Sequence, residues 1–239
     1  MLTPELHIST DFIANDHIGS ETLRAYCAEL KKTKVVIFAL CVQGRLKAMI
    51  NLVHYNIGAG TMIAIPSESF IQILKTSDDI QMHVILFSLP FVHETNLDKS
   101  IIDTFYIINE HPLLPLPEKI FNIYTDTFSL LTRICKDVPF LLSRATLKSI
   151  LEALLQGFTE LSQRKALLQV APVNRHSAIY RKFIRLVQEY HTQQHQVQFY
   201  ATKMGIKSTT LCHIVKKKSN GQTAMEVINS ILILDARTL

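Results

Sequence analysis

The feature that most constrains this chain is a change of hydrophobic period near its middle. Between Thr33 and Ser88 the apolar residues come in short runs rich in Val, Ile and aromatics. Turn residues separate these runs, and they read QG at 43–44, GAG at 58–60 and SDD at 77–79. Short, evenly spaced strands with such turns favour a sandwich or small barrel over a βαβ fold. The segment before them, 20–31, fits either a short helix capped by Ser20 or an irregular lead-in.

A helical period begins after the proline cluster HPLLPLP, residues 111–117. Apolar residues then recur at three- and four-residue spacing in two sets, one on each side of Pro139. The sets are Ile120, Ile123, Thr127, Leu130, Leu131 and Ile134, then Leu147, Ile150, Leu151, Leu154, Phe158 and Leu161. We interpret them as an antiparallel helical pair. Two helices alone bury little surface, so their outer face is expected to pack either on the β domain or on a second subunit.

The charge of the chain is concentrated at its carboxyl end. Residues 171–239 carry 10 Lys and Arg against 3 Asp and Glu, a net charge of +7. Residues 1–170 carry 15 against 17, a net charge of −2. A basic module joined to a near-neutral one is typical of a polyanion-binding unit beside a unit with another role. The basic part begins with a predicted helix whose apolar face holds Ile179, Phe183, Leu186, Val187 and Tyr190.

Within this basic part, the stretch VQFYATKMGIKSTTLCHIVKKK, residues 197–218, has the spacing of a helix-turn-helix. Tyr200, Ala201 and Met204 would form the inner side of a first short helix. Gly205 suits the positive φ of the turn. Ile206, Leu211 and Ile214 would supply the inner side of a second helix, and Ser208 is predicted to be its N-cap.

The opposite face of the second helix is chemically suited to DNA. Hydroxyl, imidazole and ammonium groups can reach base edges in a major groove, and the candidates are Thr209, Thr210, Cys212, His213 and Lys216. The candidates for phosphate contacts, which add affinity without sequence information, are Lys207, Ser208, Lys217 and Lys218. A solvated helix end that complements the helix dipole would also explain the lysine run.

The carboxyl-terminal residues FYATKMGIKSTTLCHIVKKKSNGQTAMEVINSILILDARTL resemble the DNA-binding domain of AraC/XylS-type transcriptional regulators. The stretch GRLKAMINLVHYNIGAGTMIAIPSES is similar, more weakly, to the early strands of the cupin-like effector domain of that family. The resemblance implies an α+β chain with an N-terminal cupin-like β-barrel at 1–115, a helical dimerisation segment at 116–170 and an all-α helix-turn-helix domain at 171–239. It implies DNA, a small-molecule effector, a second copy through 117–165 and RNA polymerase as partners.

Two departures from the family pattern stand out. Gly221 comes about one residue later than the family glycine, which makes Asn220 an alternative left-handed cap. The family carries two helix-turn-helix units joined by a long helix, and this sequence ends at Leu239 within that helix. Residues 224–239 are apolar around most of their circumference, which predicts cover on two sides. A truncated chain, or cover by another subunit, would account for this, and a dimerising effector-binding fragment without DNA binding of its own is therefore an alternative function.

The sequence shows no pattern typical of a catalytic or metal centre. His54, His83, His93, Glu94 and His111 are scattered without the closely spaced histidines of cupin metal sites, so a cupin-type enzyme is the weaker alternative and no cofactor or metal is expected. His54, Tyr55 and His83 lie in predicted strands from which they could touch an effector.

The cysteines and the hydrophobic runs bear on the compartment. Cys27, Cys41, Cys135 and Cys212 are spread among mainly apolar neighbours, which predicts buried free thiols in a reducing compartment. No secretory signal follows Met1, and the longest apolar run, 35–42, is far shorter than the ~20 residues of a membrane span. We therefore expect a cytoplasmic regulator that is not an enzyme and does not enter a membrane.

Overall fold

The computed structural model describes residues 10–24, 29–95, 104–105, 107–109, 111–168, 175–219 and 221–236. The chain divides into two compact units. The first comprises Met1–Ile50 and His54–Gln169, and the second comprises Asn51–Val53 and Val170–Leu239. Antiparallel sheets and helices make up the first unit and helices dominate the second, which confirms the predicted α+β class.

The strands of the first unit form two antiparallel sheets. In chain order the strands are β1 (Phe12–Gly19), β2 (Lys31–Lys32), β3 (Val35–Gln43), β4 (Arg45–Ile50), β5 (Val53–Gly58), β6 (Thr61–Ile65), β7 (Phe70–Thr76), β8 (Gln81–Ser88) and β9 (Leu113–Pro115). Sheet A has the order β1-β8-β3-β6-β9, and sheet B has the order β2-β7-β4-β5. The sheets remain separate, so the expected cupin-like barrel is not closed.

The predicted turns are confirmed, and the structure adds elements that the periodicity did not indicate. Gly44 has a φ of 79° between β3 and β4, and tight turns follow β5 and β7. β1 was not predicted, although it pairs along most of its length with β8. The run RLKAMINLVHYNI is divided into β4 and β5 by Asn51 and Leu52, whose φ angles are 47° and 60°.

Strand β3 is buried on both faces and therefore separates two hydrophobic cores. Val36, Phe38 and Leu40 belong to the core on the helical side of sheet A. The alternate residues Ile37 and Ala39 belong to the core that sheet A shares with sheet B. Such double burial explains why VVIFALCV is apolar without alternation.

The helices of the first unit whose bounds the structure gives are α1 (Ser20–Arg24), α2 (Leu89–Glu94), α3 (Glu118–Asp137), a 3-10 turn (Pro139–Leu141) and α4 (Arg144–Leu168). Residues 104–105 and 107–109 are helical as well. Of the two alternatives for 20–31, the short helix is found, as α1, and residues 25–28 lie outside the described residues. Tyr124 near the start of α3 faces Gly157 in the second half of α4, as expected for an antiparallel pair.

The apolar stripe predicted for α4 is confirmed, whereas that predicted for α3 is only partly right. Leu147, Leu151, Leu154 and Phe158 of α4 are buried in the core on the helical side of sheet A. On α3, the buried residues of that core are Phe128 and Leu131, with Phe121, Tyr124 and Cys135 packed against it. Ile123 and Leu130, which the period placed on the buried stripe, are 61% and 47% exposed.

In its described residues, the second unit contains four helices around one core. They are α5 (Arg175–Tyr190), α6 (Val197–Lys203), α7 (Ser208–Lys218) and α8 (Ala224–Ala236). Phe183 of α5 meets Tyr200 of α6 edge to face, with ring centroids 5.7 Å apart. The Tyr200 hydroxyl donates to the Gln194 carbonyl at 2.6 Å, so this buried polar group is satisfied. The aromatic pair fixes α6 against α5.

Candidate nucleic-acid interface and ligand cavity

The turn between α6 and α7 is built as its sequence predicts. Tyr200 and Ala201 are fully buried, and Gly205 has a φ of 67°, a conformation that side chains disfavour. The Ile206 amide donates to the Ala201 carbonyl at 3.1 Å, and the Gly205 amide donates to the Thr202 carbonyl at 3.0 Å. These bonds close the turn and fix the direction in which α7 leaves it.

Helix α7 presents one face to the core of the second unit. Leu211, Ile214 and Val215 are at most 1% exposed. Because residues three and four apart share a helix face, burial of these three determines which side chains point away. The helix ends in a turn where Gly221 donates from its amide to the Lys216 carbonyl at 3.0 Å with a φ of 98°, and Asn220 lies outside the described residues.

The side chains named as base-reading candidates all lie on the exposed face of α7. These are Thr209, Thr210, Cys212, His213 and Lys216. Among the phosphate candidates, Lys207 and Lys217 are exposed and Ser208 and Lys218 are half-buried. The three lysines occupy the last turn of the helix. The exposed candidates within α7 therefore form one cationic, hydrogen-bonding surface, which we call the α7 face. They are Thr209, Thr210, Cys212, His213, Lys216 and Lys217.

The prediction that Ser208 caps α7 is wrong. The N-cap is Lys207, with extended backbone angles and no side-chain cap bond, and Ser208 is the first helical residue. The Ser208 hydroxyl instead donates to the Gln198 side chain of α6. The hydroxyl therefore bonds to a side chain of the neighbouring helix rather than to the backbone amide that the sequence pattern predicts.

Helix α8 begins with a reciprocal cap. The Glu226 carboxylate accepts from the Thr223 amide at 2.6 Å, and the Glu226 amide donates to the Thr223 hydroxyl at 3.2 Å. These bonds from Thr223, more than the nearby Lys216 charge, lower the pKa of Glu226. Val227, Ile228 and Ile231 are buried, and Met225 is 44% exposed. The side chains of 233–239, on which the apolar circumference was also argued, lie outside the described residues.

In the first unit, a small cavity lies between sheet A and sheet B. Its volume is about 90 Å³. Most of its wall is aliphatic, from Ile18, Leu23, Ile37, Ala39, Leu46, Ala48, Ile50, Ile57, Ile63, Ile65, Ile71, Ile73, Met82, Val84 and Leu86. Two polar side chains join this wall, those of Thr22 and Lys31. The cavity can therefore accept an apolar ligand, and the Lys31 side chain is part of its wall.

None of the three effector candidates is among the described residues that line this cavity. Tyr55 packs against the core between the sheets, while His54 alternates with it on β5. His83 lies on β8 in alternation with Met82 and Val84, which line the cavity, so it belongs to the opposite face of sheet A. The strand period alone could not show which face was inward, and sequence reasoning missed Lys31 and the aliphatic wall.

His83 is buried opposite a β-bulge. The register of β1 against β8 shifts between Asn15 and Ile18, which leaves Asp16 and His17 opposite His83. Its Nδ1 atom has no hydrogen-bond partner among the described residues. Burial lowers the pKa of His83, Asp16 raises it, and His17 lowers it further. The net shift is downward, so the neutral imidazole is favoured at neutral pH.

The cysteine prediction is right for one of the described thiols. Cys41 is buried in β3, and burial, with a smaller contribution from Asp79, raises its pKa to about 11. Cys135 is half-buried and Cys212 is exposed, contrary to the expectation of buried thiols, and Cys27 lies outside the described residues. Within the described part of the chain, no group of three or more His, Cys, Asp and Glu residues could hold a metal ion.

Comparisons with known proteins place AraC-like regulators among the similar structures. No family model matches the chain, and no curated protein matches it. Wild-type ToxT from Vibrio cholerae strain SCE256, with an unsaturated fatty acid bound, is 16% identical, with 96% of this chain and 81% of that chain covered and a TM-score of 0.38. The AraC-like transcriptional activator CuxR is 11% identical, with coverages of 95% and 77% and a TM-score of 0.35.

A partial likeness extends to an enzyme. Oxalate decarboxylase from Bacillus subtilis is 12% identical, with 42% of this chain and 33% of that chain covered and a TM-score of 0.23. TM-scores this low mean that none of these likenesses carries an argument about what this chain binds or does. Among the helices that the structure describes, none is long and apolar enough to cross a membrane.

Proposed function

We propose that this chain is a sequence-specific DNA-binding transcriptional regulator of AraC type rather than an enzyme. The observation that carries the proposal is the α7 face. Leu211, Ile214 and Val215 anchor the helix in its core, which leaves hydroxyl, imidazole and ammonium groups exposed together. A second helix anchored across a tight turn is the arrangement that enters a major groove in helix-turn-helix proteins. The AraC/XylS resemblance of residues 199–239 supports the same function.

The proposed contacts divide by chemistry. Thr209, Thr210, Cys212, His213 and Lys216 would read base edges, and Lys207, Ser208, Lys217 and Lys218 would contact phosphates. Ser208 can contact a phosphate only if its hydroxyl leaves Gln198. We therefore expect Ser208 to contribute less than the neighbouring exposed lysines.

The cavity between the sheets is the proposed effector site. Its aliphatic wall suits an alkyl chain, and Lys31 is suited to pair with a carboxylate at one end of it. The cavity volume of about 90 Å³ is small beside the ~300–1,000 Å³ typical of ligand pockets, so a long ligand would require the sheets to separate. A short or medium-chain aliphatic carboxylate is accordingly the proposed class. Tyr55 stays a candidate for a contact that follows such an opening, whereas His54 and His83 alternate with the residues that face the space between the sheets and would contact an effector only from outside it.

A dimer formed through residues 117–165 completes the proposal. On this segment Ile123, Leu130, Phe140 and Leu141 are between 47% and 79% exposed, and exposed large apolar side chains are suited to contact with a second copy. A dimer would bring two α7 faces to two half-sites, and an effector would act by shifting the population of arrangements that fit them. RNA polymerase as a further partner and a cytoplasmic location follow from the same role.

The DNA-binding proposal is tested with a randomised pool of duplex DNA, since the operator is unknown. Protein-bound duplexes are recovered and amplified over several rounds, and the enriched sequence is used in mobility-shift titrations. His213→Ala should relax the preference at one base pair by about 1–3 kcal/mol. Lys217→Ala should weaken binding to all sequences and flatten the salt dependence by about one unit of slope.

The matched control is Lys34→Ala, which removes an exposed lysine in the first unit and should leave both quantities unchanged. If the pool yields no enriched sequence, the chain does not bind specifically by itself, and the alternative of a dimerising effector-binding fragment gains. If enrichment occurs but His213→Ala and a Thr209→Ala variant leave the preference unchanged, the recognition-helix assignment is wrong.

The effector proposal is tested with linear carboxylates from butanoate to decanoate, followed by thermal unfolding. A ligand that binds the folded state raises the melting temperature, and the rise should increase with chain length until the cavity is filled. Lys31→Gln should abolish most of the rise, while the exposed control Lys34→Gln should retain it. An equal response to the matching alcohols would remove Lys31 from the proposed site.

A further inference from the structure

One end of sheet B carries three cationic side chains on a single face. Arg45 and Lys47 alternate with buried residues on β4, and Lys75 lies on β7; all three are exposed. In the antiparallel register Lys47 is directly opposite Lys75. Directly opposed residues of two strands lie on the same side of the sheet, and like charges in such a pair are destabilising. A negative charge beside Lys47 and Lys75 would offset this repulsion.

The acidic residues nearby are engaged elsewhere or compensate only Arg45. Asp78 pairs with Arg24 at 2.5 Å. Asp79 has a lowered pKa, caused first by a hydrogen bond from Ser77 and last by the charge of Arg45. Within the described part of the chain, neither Lys47 nor Lys75 forms an ion pair. The positive charges of Lys47 and Lys75 are therefore not offset by these carboxylates.

These side chains border a groove that has the size of a ligand site. Its volume is about 610 Å³, within the ~300–1,000 Å³ typical of small-molecule pockets. Besides the three cations, the groove is lined by Asn56, Gly58, Thr76 and Ser77 and by the buried residues Leu46 and Ile57. The Ser77 hydroxyl already donates to Asp79, so the side chains that can donate to a ligand are those of Asn56 and Thr76. The groove thus combines opposed ammonium groups with hydrogen-bonding side chains. It is separate from the aliphatic cavity between the sheets, although Leu46 and Ile57 contribute to both.

We propose that this groove, which we call the β4–β7 groove, binds a small phosphate-bearing organic anion with at least two negative charges. Lys47 and Lys75 bind its phosphate groups, and the side chains of Asn56 and Thr76 orient it. Ammonium groups on opposed strands suit adjacent phosphates because each supplies a point charge with three donors. A groove volume of about 610 Å³ matches a small ligand.

The test measures binding of pyrophosphate and of adenosine triphosphate by isothermal titration calorimetry, with inorganic phosphate for comparison. We expect one site per chain and tighter binding of the two oligophosphates than of phosphate. Lys47→Gln and Lys75→Gln should each weaken binding of both oligophosphates at least tenfold. Lys34→Gln removes the same charge from an exposed position just before β3 and should leave the dissociation constants unchanged.

Three outcomes would overturn the proposal. The first is the absence of saturable binding of either oligophosphate, and the second is equal weakening by Lys34→Gln, which would show attraction to net charge alone. The third is displacement of adenosine triphosphate by random duplex DNA, together with an equal loss of DNA binding in Lys47→Gln, which would make the groove a nucleic-acid contact. All these substitutions are at exposed positions, and circular dichroism verifies that each variant is folded. The groove belongs to the first unit and the α7 face to the second, and the test uses no operator DNA, so failure of DNA recognition would leave this result unaffected.

Discussion

The candidate site of the first unit lies inside its core, whereas that of the second unit lies on its surface. In the first unit the proposed effector site is internal, a cavity of about 90 Å³ surrounded by aliphatic side chains. In the second unit the core is closed around Tyr200, Ala201 and Leu211, and the candidate groups are on the surface of α7. Core residues therefore form the candidate site itself in the first unit, whereas in the second unit they only orient the helix that carries it. Substitutions of the same kind should therefore have different effects in the two units.

The largest contrast is expected within α7 itself. Leu211→Ala removes a fully buried side chain and should lower the free energy of unfolding by about 2–5 kcal/mol. Cys212→Ala, at the next position and exposed, should change it by less than about 0.5 kcal/mol. Urea unfolding followed by circular dichroism gives both values. A similar loss in the two variants would contradict the inward and outward assignment of the helix.

Two turn glycines, one in each unit, allow the units to be compared by backbone substitutions. Both Gly44 and Gly205 have positive φ, but a Cβ atom at Gly44 would lie 2.7 Å from the Ile80 Cα atom, whereas one at Gly205 would meet nothing within 4 Å. Gly205→Ala should therefore cost only the conformational strain, about 1 kcal/mol. Gly44→Ala adds a backbone clash and should cost about 3 kcal/mol. Equal losses of unfolding free energy would show that the β3–β4 turn adjusts freely.

The third contrast is a difference of sign. Ala39→Val places two more carbons beside the cavity between the sheets and should stabilise the first unit by about 0.5–1 kcal/mol while weakening carboxylate binding. Ala201→Val enlarges a residue that is fully buried in a helix of the closed core and should destabilise the second unit by about 1–3 kcal/mol. Thermal unfolding and carboxylate titration test both. Destabilisation by Ala39→Val would indicate that the cavity has no room for added carbons.

The smallest expected contrast concerns pH. The pKa of His83 is lower in the folded chain than in the unfolded chain, so the unfolded chain takes up the proton more readily. The contribution of His83 to the free energy of unfolding is therefore complete above about pH 6.5 and is lost as pH falls below that value. The lowered pKa of Glu226 gives a contribution that is complete above about pH 4.5 and is lost as pH falls through its folded pKa. Asp16 and His17 face His83, and Lys216 lies near Glu226.

Melting temperatures measured across pH should separate these two groups. His83→Gln should reduce the loss of stability between about pH 7 and pH 5.5, and Glu226→Gln should reduce the loss below about pH 4.5. Each variant serves as the control for the other window. Unchanged curves for His83→Gln in the upper window would mean that His83 is equally easy to protonate in the folded and unfolded chain.

Prediction from the sequence worked best where one local pattern decides the outcome. The turn at Gly205 and the burial of Leu211 and Ile214 follow from helical spacing and from the freedom of glycine, so the α7 face could be named in advance. The Ser208 cap was wrong because Gln198, on another helix, binds the hydroxyl. Ile123 and Leu130 were placed on the buried stripe of α3 because apolar character and period alone do not reveal which side of an amphipathic helix meets a sheet.

By itself, the sequence determined the α+β class, the predicted turns, the basic carboxyl-terminal part and the outward residues of α7. These features depend on composition, on backbone conformations allowed to glycine and on the helical period, all of which are local. Only the tertiary structure decided that sheets A and B leave a cavity with Lys31 beside it, and that Lys47 opposes Lys75. The reason is that strand pairing joins residues far apart in the chain, and a period of two does not state which face of a strand is inward.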